Sequence, residues 1–549
     1  MDVTSFRNDF RKITGSESFD TISDMAAWCF CHYKSMLQKN DIAESNYLAI
    51  YYDMIGKIAD SKNDKNLVRL GKLQAELIDI YTDPDSMLDW NKAVLKALER
   101  VTLQPYKEDL LLEETLACTI ITAFDLSLSS EHNTMEGGWY KERIAKPVNR
   151  YPLNNIYVNQ VRIFPYFKDS LHKEAKKELN FPDSGILGRT ISNQLKNVFF
   201  LEEEIISAKH TIRIVRMPVS TRHPFVEKNR DRLRVAIVPF TNSSVTEINK
   251  TGEGSCFVVR HSEEYDNKYS NVTIKILEQC IVQGANIVIF PEYMITDRIE
   301  RSISKYLHRY HQTSSELLFV VAGSRWCTEG ERTNNISSVY MYNGQFLGRT
   351  YKSSEFASYA VGDTVASSEG NYTERLSDPG KEILILDVER VGRFAFAVCR
   401  DVCDDGTKAV TKRIVDAFRP DFLLVPAWST SVYGGFKSKF DNFAAHGTIS
   451  VLCNCCEPID NNPTTKKKRK TVSREERVMV GFPVKANEYG RYTEGKTVAE
   501  KCPKTACGSI CEPEHCVFLV DLNPSSKSLK DGSICENWRH MDLHGNLIT

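Results

Sequence analysis

Three short segments of the chain each place one reactive side chain at or just past the end of an apolar run that is typical of a β-strand. The segments are Ile287–Glu292, Gly348–Lys352 and Phe394–Asp401. In chain order they supply a carboxylate, an ammonium and a thiol, from Glu292, Lys352 and Cys399. A thiol can attack a carbon–nitrogen bond, a carboxylate can take and return its proton, and an ammonium can face the oxyanion that forms. The trio therefore predicts nucleophilic chemistry on a carbon–nitrogen bond.

Each of these residues also has a structural explanation. Cys399 is one of 16 cysteines, and cysteine is among the most buried residue types. Glu292 could cap a helix after Pro291, and Lys352 could lie on the surface. The shared position at strand ends and the order along the chain favour the catalytic interpretation.

The order and setting of the three segments resemble the nitrilase superfamily of carbon–nitrogen hydrolases. That family has a strand ending in Phe-Pro-Glu, a later lysine, and a strand ending in Cys-x-Asp or Cys-x-Glu, which correspond here to Glu292, Lys352 and Cys399. Gly284-Ala285-Asn286 before the first strand is similar to the family's Gly-Ala-Asp. The resemblance covers 233–523, a little over half of the chain.

The resemblance implies a mixed α/β domain built as a four-layer α-β-β-α sandwich, commonly paired into a homo-oligomer. It also implies hydrolysis of a small-molecule amide, carbamoyl or nitrile group through a cysteine thioester, with no cofactor and no metal. Tyr293, Arg400 and Trp428 follow the catalytic positions and strands, and we expect them to bind substrate. Apolar strands alternate with polar-faced helices after Leu233, which is consistent with such a fold.

The segment after the lysine departs from the family pattern. Family members usually have Lys-x-His-Leu and then a second catalytic glutamate several residues further on. This chain reads Lys352-Ser353-Ser354-Glu355. Either Glu355 takes the role of the second glutamate, or the role is unfilled.

Arg400 stands where the family mostly has an aromatic residue. Its guanidinium could lower the pKa of the neighbouring thiol or bind a substrate carboxylate or phosphate. The alternative is an ion pair with a nearby aspartate. The candidates for that pair are Asp401, Asp404 and Asp405.

The composition fits a soluble enzyme, and we expect it to be cytoplasmic. The chain has 71 basic and 72 acidic residues, so no overall charge favours nucleic acid or a membrane surface. No apolar run has the length of a membrane helix, and the N-terminus is polar, unlike a signal peptide. Sixteen cysteines without a secretion signal indicate reduced thiols.

The two halves of the chain have different patterns. Residues 1–216 are predicted to be mainly α-helical, as in the helical spacing of Leu70, Leu73, Leu77 and Ile80. We expect these helices to bind a protein partner or to build an oligomer. A linker is expected at 217–232, the hydrolase-like domain at 233–525 and a C-terminal tail at 526–549.

Two clusters have open interpretations. Lys466–Lys470 is a targeting signal, an anion-binding patch or a solvated insertion loop. The cysteines Cys502, Cys507, Cys511 and Cys516 have spacing that is irregular for structural zinc, so we expect no metal there.

The altered lysine segment and the large N-terminal extension leave a second class of function open. In this class the fold is retained as a sensor or scaffold with a helical partner-binding domain, for example in a prokaryotic defence system. The intact set of Glu292, Lys352 and Cys399 favours the enzyme, because a scaffold has no need of all three.

Overall fold

The structure, a computed structural model, divides the chain into two compact units. The first comprises 1–168 with 173–205, and the second 169–172 with 206–549. The structure describes residues 10, 22–39, 65–82, 90–101, 112–127, 152–153, 156–157, 161–165, 198–202, 210–220, 222–228, 232–239, 246–251, 256–309, 315–329, 332–355, 357–358, 372–374, 376–388, 391–404, 409–429, 435–445, 447–455, 477–484, 495–500, 517–523, 534–541 and 547–548.

The first unit contains helices and short strands. The helices are α1 (Ile22–Lys39), α2 (Lys65–Thr82), α3 (Trp90–Arg100) and α4 (Leu112–Ser127). The strands β1 (Pro152–Leu153) and β2 (Ile156–Tyr157) form one antiparallel pair, and β3 (Val161–Pro165) and β4 (Val198–Glu202) form another. In α2 the apolar residues at helical spacing are buried, as their period predicts. A mainly helical N-terminal domain over 1–216 stays a prediction.

The second unit has two large sheets. The eight-stranded sheet has the order β12-β11-β10-β9-β6-β21-β22-β23, and the seven-stranded sheet has the order β20-β19-β18-β17-β16-β15-β5. The strands of the first are β6 (Leu233–Ile237), β9 (Ile287–Ile289), β10 (Phe319–Glu329), β11 (Arg332–Met341), β12 (Phe346–Tyr351), β21 (Val517–Leu522), β22 (Cys535–Met541) and β23 (Leu547–Ile548). Those of the second are β5 (Thr211–Met217), β15 (Glu382–Val388), β16 (Gly392–Phe396), β17 (Phe422–Ala427), β18 (Ile449–Asn454), β19 (Val478–Pro483) and β20 (Gly495–Glu500).

The two large sheets share one apolar core. Phe319 of β10 packs edge-on against Phe394 of β16, with ring centroids 5.0 Å apart. Gly348 of β12 lies so close to Leu384 of β15 that a β-carbon at the glycine would be 2.8 Å from its side chain. The central strands of both sheets are buried throughout, as expected of sheets covered on both faces.

Helices and a smaller sheet complete the second unit. The helices are α5 (Pro224–Lys228), α6 (Glu263–Val282), α7 (Asp297–Arg309), α8 (Arg400–Cys403), α9 (Val410–Phe418) and α10 (Gly435–Ala445). The smaller sheet, ordered β13-β14-β8-β7, contains β7 (Thr246–Thr251), β8 (Cys256–His261), β13 (Ala357–Ser358) and β14 (Tyr372–Glu374). The apolar faces of α6 and α7 pack on the eight-stranded sheet, through residues such as Ile276, Ile303 and Val320.

The expected mixed α/β class is confirmed, while the four-layer sandwich stays a prediction. The unit extends past the expected domain at both ends. Strand β5 pairs in parallel with β15, and Met217, Phe225 and Val226 of the expected linker lie in the core between the sheets, while the expected boundaries stay a prediction. In the expected tail, β22 pairs with β21. Sheet pairing over such sequence separations leaves no local signal.

Within the ranges described above, no helix combines the length and the apolar character that a membrane span requires.

Candidate active site

Glu292 follows β9, which lies between the parallel strands β6 and β10. Its backbone N–H donates to the Ala427 carbonyl at the end of β17, 3.3 Å away, and links the ends of the two sheets. Pro291, the residue before Glu292, approaches β10 closely at Gly323. A β-carbon at Gly323 would be 2.2 Å from the Pro291 oxygen, so only glycine allows this approach. Glu292 is fully buried at this junction.

Lys352 directly follows β12 and is buried with Glu292. Its Nζ donates to Glu292 Oε1 at 2.8 Å and to Glu374 Oε2 at 2.6 Å. Its backbone N–H donates to the Asn335 carbonyl on β11. The predicted carboxylate and ammonium are therefore in direct contact.

Glu374 is a second buried carboxylate on Lys352 that the sequence did not indicate. It ends β14, which pairs in parallel with β8, and its side chain is fully buried. The Tyr293 hydroxyl donates to Glu374 Oε1 at 2.5 Å. The Asn335 amide donates from Nδ2 to Glu374 Oε1 at 3.2 Å and to Glu292 Oε1 at 2.8 Å. Asn335 and Lys352 thus join the two carboxylates.

Glu355, one of the two alternatives considered for the second glutamate, does not contact Lys352 in the described part of the chain. It is exposed, and its Oε1 accepts a hydrogen bond from the Leu376 backbone N–H at 3.1 Å. The second carboxylate that accepts from Lys352 Nζ belongs to Glu374, 22 residues after the lysine. The aromatic and β-branched run Tyr372-Thr373 before Glu374 is a weak strand signal that could have indicated it.

Cys399 lies at a sharp turn between β16 and α8. Its backbone has φ 47° and ψ −105°, a conformation that non-glycine residues rarely adopt. Its N–H donates to the Pro426 carbonyl at 2.9 Å, and its thiol faces the Trp428 carbonyl, with sulfur and oxygen 3.8 Å apart. A nucleophile on a strained strand-to-helix turn presents its side chain at the sheet end.

Burial controls the protonation of this cluster. Burial raises the pKa of the Glu292 carboxyl, the charge of Lys352 opposes that rise, and the charge of Glu374 adds to it. Burial and the Glu292 charge likewise hold the pKa of the Cys399 thiol well above its usual range. Burial alone would lower the pKa of Lys352, but the two carboxylates raise it overall. The lysine is thus an ammonium, and the resting thiol is neutral.

One oxygen of Glu292 is available to the thiol. Glu292 Oε2 is buried, and it has no hydrogen-bond partner among the described residues. Cys399 and Glu292 lie near enough for each to shift the pKa of the other. This arrangement gives the thiol proton an acceptor in a site that water reaches poorly.

The structure separates the three expected substrate-binding residues. Tyr293 and Trp428 are buried beside the cluster, with their rings 5.6 Å apart and nearly perpendicular. Trp428 Nε1 is a buried donor without a partner in the described part of the chain. The Arg400 side chain is 49% exposed and pairs with Asp404 at 2.9 Å, as one of the two interpretations anticipated.

Asp401 connects the two loops that carry the lysine and the cysteine. Its Oδ1 accepts from the backbone N–H groups of Ser353 and Ser354 at 2.9 and 2.7 Å, and its Oδ2 accepts from Val398 at 3.2 Å. Burial raises the pKa of Asp401 to about 7, although the Lys352 charge and these hydrogen bonds oppose the rise. Asp401 therefore titrates near neutral pH.

This titration has a defined sign. An aspartate in the unfolded chain has a pKa of ~4, so between about pH 4 and pH 7 the folded state binds the Asp401 proton more tightly. The stability that Asp401 contributes should fall as the pH rises through that window, by up to ~1.4 kcal/mol per pH unit. We expect the difference in melting temperature, wild type minus Asp401→Asn, to fall as the pH rises over this range and to level off above about pH 8.

Asp521→Asn is the matched control for this measurement. Burial alone would raise the pKa of Asp521, but hydrogen bonds and charge from Arg234 lower it overall. The stability that Asp521 contributes is lost only below ~pH 4. The difference in melting temperature between Asp521→Asn and the wild type should therefore stay constant from pH 5 to 8. A constant difference for Asp401→Asn as well would contradict the assignment.

The two remaining clusters, Lys466–Lys470 and the cysteines from Cys502 to Cys516, lie outside the described residues, as does Asp405.

No protein-family model and no curated protein sequence matches the chain. Solved structures do match it. Nit3 from Saccharomyces cerevisiae, a member of branch 10 of the nitrilase superfamily, is 12% identical over 55% of this chain and 93% of its own, with a TM-score of 0.31. An amidase from Nesterenkonia sp. is 13% identical over 50% and 92%, with a TM-score of 0.29. A carbon–nitrogen hydrolase from Helicobacter pylori G27 is 10% identical over 55% and 92%, with a TM-score of 0.33. The chain is thus similar, over about half its length, to solved structures of carbon–nitrogen hydrolases.

Proposed function

We propose that the chain is a carbon–nitrogen hydrolase of the nitrilase type that acts on a small non-peptide amide, carbamoyl or nitrile. The observation that carries the proposal is the buried contact of Lys352 with Glu292 and Glu374 beside the strained Cys399 turn. Burying an ammonium with two carboxylates stabilises the fold little, because desolvation opposes the attraction of the charges. Such a cluster is expected where the charges act on a substrate.

For an amide, the proposed reaction proceeds in two steps. Glu292 Oε2 takes the thiol proton while Cys399 Sγ bonds to the carbonyl carbon, and Lys352 Nζ faces the oxyanion. The C–N bond then breaks, and the leaving nitrogen takes the proton from Glu292. A water molecule, deprotonated by Glu292, attacks the thioester and releases the carboxylic acid, and Cys399 recovers its proton.

In this scheme Glu374 is the positioning residue of the lysine. Its Oε2 holds Nζ at 2.6 Å, and its Oε1 is itself held by Tyr293 and Asn335. The lysine is thereby restrained before substrate arrives, so little reorganisation is needed in the transition state.

Mass measurement of the intact protein tests the proposal. We expect at least one compound from a panel of small amides, carbamoyl compounds and nitriles to be hydrolysed and to add an acyl mass to the protein. That mass should lie on the peptide that contains Cys399. The adduct should disappear on standing as water releases the acid. If no compound is hydrolysed and none labels Cys399, the proposed activity is wrong.

A further inference from the structure

Three arginines surround one buried aspartate at the end of the eight-stranded sheet that lies away from Glu292. Arg232 immediately precedes β6, Arg234 lies in it, and Asp521 lies in the neighbouring strand β21. Arg234 is directly opposite Asp521, and Arg539 of β22 is opposite Leu519, two residues before Asp521. Opposite residues and residues two apart share a face of the sheet, so all these charged groups lie on one face.

A β-bulge shapes this group of residues. The register between β21 and β22 shifts between Leu519 and Asp521, and Asn537 in the bulge has φ 54°. The Asn537 amide donates from Nδ2 to Asp521 Oδ2 at 3.2 Å. A bulge of this kind redirects side chains locally, and bulges are enriched beside functional sites.

Most of the acceptor capacity of Asp521 is taken, with three donors at Oδ2 and one at Oδ1. Arg234 donates from Nε to Oδ1 at 2.7 Å and from Nη2 to Oδ2 at 3.2 Å. Arg232 donates from Nη1 to Oδ2 at 2.9 Å. With Asn537 these bonds make four, which is about the number of lone-pair positions on a carboxylate.

No hydrogen bond joins Arg539 to Asp521 within the described residues, although the negative charge of Asp521 acts to raise the Arg539 pKa. Its Nε is buried and has no hydrogen-bond partner among the residues described. Burial and the charges of Arg234 and Arg232 lower the pKa of Arg539, yet a guanidinium remains charged. Glu536, opposite Asp521, is exposed and forms no ion pair with these arginines within the described ranges. Among the described residues, three guanidinium groups therefore lie around the Asp521 carboxylate.

We propose that Arg232, Arg234 and Arg539 form a binding site for the phosphate group of a small molecule. A phosphate group would add negative charge where these guanidinium groups repel one another, and its oxygens fit the paired N–H groups of a guanidinium. The Arg232 side chain is 47% exposed, so a ligand can reach the site from solvent.

This site lies apart from the candidate active site and goes beyond the proposed hydrolase function. The Asn286 N–H donates to the Arg234 carbonyl, which sets these two residues side by side at the start of β6 and β9. Glu292 lies six residues further along, at the other end of the sheet, so the two sites are ~20 Å apart at the rise of a strand. Loss of one site is therefore separable from loss of the other.

Thermal unfolding of the full chain tests this site. We expect inorganic phosphate to raise the melting temperature saturably, by about 2 °C or more, relative to sodium chloride at the same ionic strength. Arg539→Gln should remove that rise. In phosphate-free buffer the same variant should melt at or above the wild type, because it relieves repulsion among the arginines.

A matched pair of exposed arginines provides the control. Arg232 and Arg213 are both 47% exposed and each pairs with one carboxylate, but Arg213 pairs with Glu382 in the other sheet. Arg232→Gln should weaken the phosphate response, and Arg213→Gln should leave it intact. A larger rise in melting temperature with glycerol phosphate than with phosphate would assign the site to a phosphomonoester. An equal rise with both would assign the site to free phosphate. A response that is equal in Arg539→Gln and wild type, or absent in both, would overturn the proposal.

Discussion

We expect Cys399→Ala to lose all covalent labelling by the amide and nitrile panel and to lower turnover by ~10⁴-fold or more, the scale for removal of a nucleophile. Labelling is measured as acyl mass on the intact protein and turnover as release of the acid. The melting temperature should stay close to that of the wild type, because alanine retains the β-carbon and the contact of the thiol with the Trp428 carbonyl is long, at 3.8 Å.

A glycine at the same position separates chemistry from stability. Cys399 has φ 47° and ψ −105°, and a strained backbone of this kind costs about 1–3 kcal/mol with a non-glycine residue. Cys399→Gly should therefore be inactive yet melt at or above the wild type. Cys403→Ser, one helical turn further on, is the control and should keep both labelling and turnover. If Cys399→Ala still hydrolyses its substrate, the nucleophile has been misassigned.

The sequence located residues whose setting is local. Glu292, Lys352 and Cys399 each lie just past the end of an apolar strand, so a few neighbouring residues identify them, and the structure brings Glu292 and Lys352 into direct contact. The role of each of the three in catalysis stays a proposal that the variants test.

What the sequence missed depends on contacts between distant segments. Glu374 reaches Lys352 because β14 pairs in parallel with β8, more than 100 residues earlier in the chain. Strand β5 likewise enters its sheet beside β15, a partner that its own sequence does not indicate. Glu355 is a candidate for the second glutamate only because it is close to Lys352 in sequence, and its exposed side chain accepts a hydrogen bond from the Leu376 N–H. Proximity along the chain was a poor guide in each case.

Glu374→Gln is expected to lower kcat by ~10²-fold while leaving the fold intact. The amide has nearly the shape of the carboxyl group, and its one oxygen can still accept from Lys352 while the Tyr293 hydroxyl turns to accept from the amide N–H. The charge that restrains the lysine is lost, however, and a misplaced oxyanion partner loses much of its effect on the transition state. The rate is measured as acylation of Cys399 by the compound that labels the wild type.

The pH dependence of the same variant distinguishes a charge effect from a packing effect. The negative charge of Glu374 helps to raise the pKa of Glu292, so its removal should lower that pKa. Because Glu292 must be ionised to accept the thiol proton, the fall in rate at acid pH should move to lower pH in Glu374→Gln. Glu355→Gln replaces an exposed glutamate close to Lys352 in the sequence and should change neither the rate nor the pH profile. Equal rates and profiles for Glu374→Gln and Glu355→Gln would mean that Glu374 is only a structural partner of Tyr293. A slower rate with a shifted acid limb in Glu374→Gln alone would assign it to the positioning of Lys352.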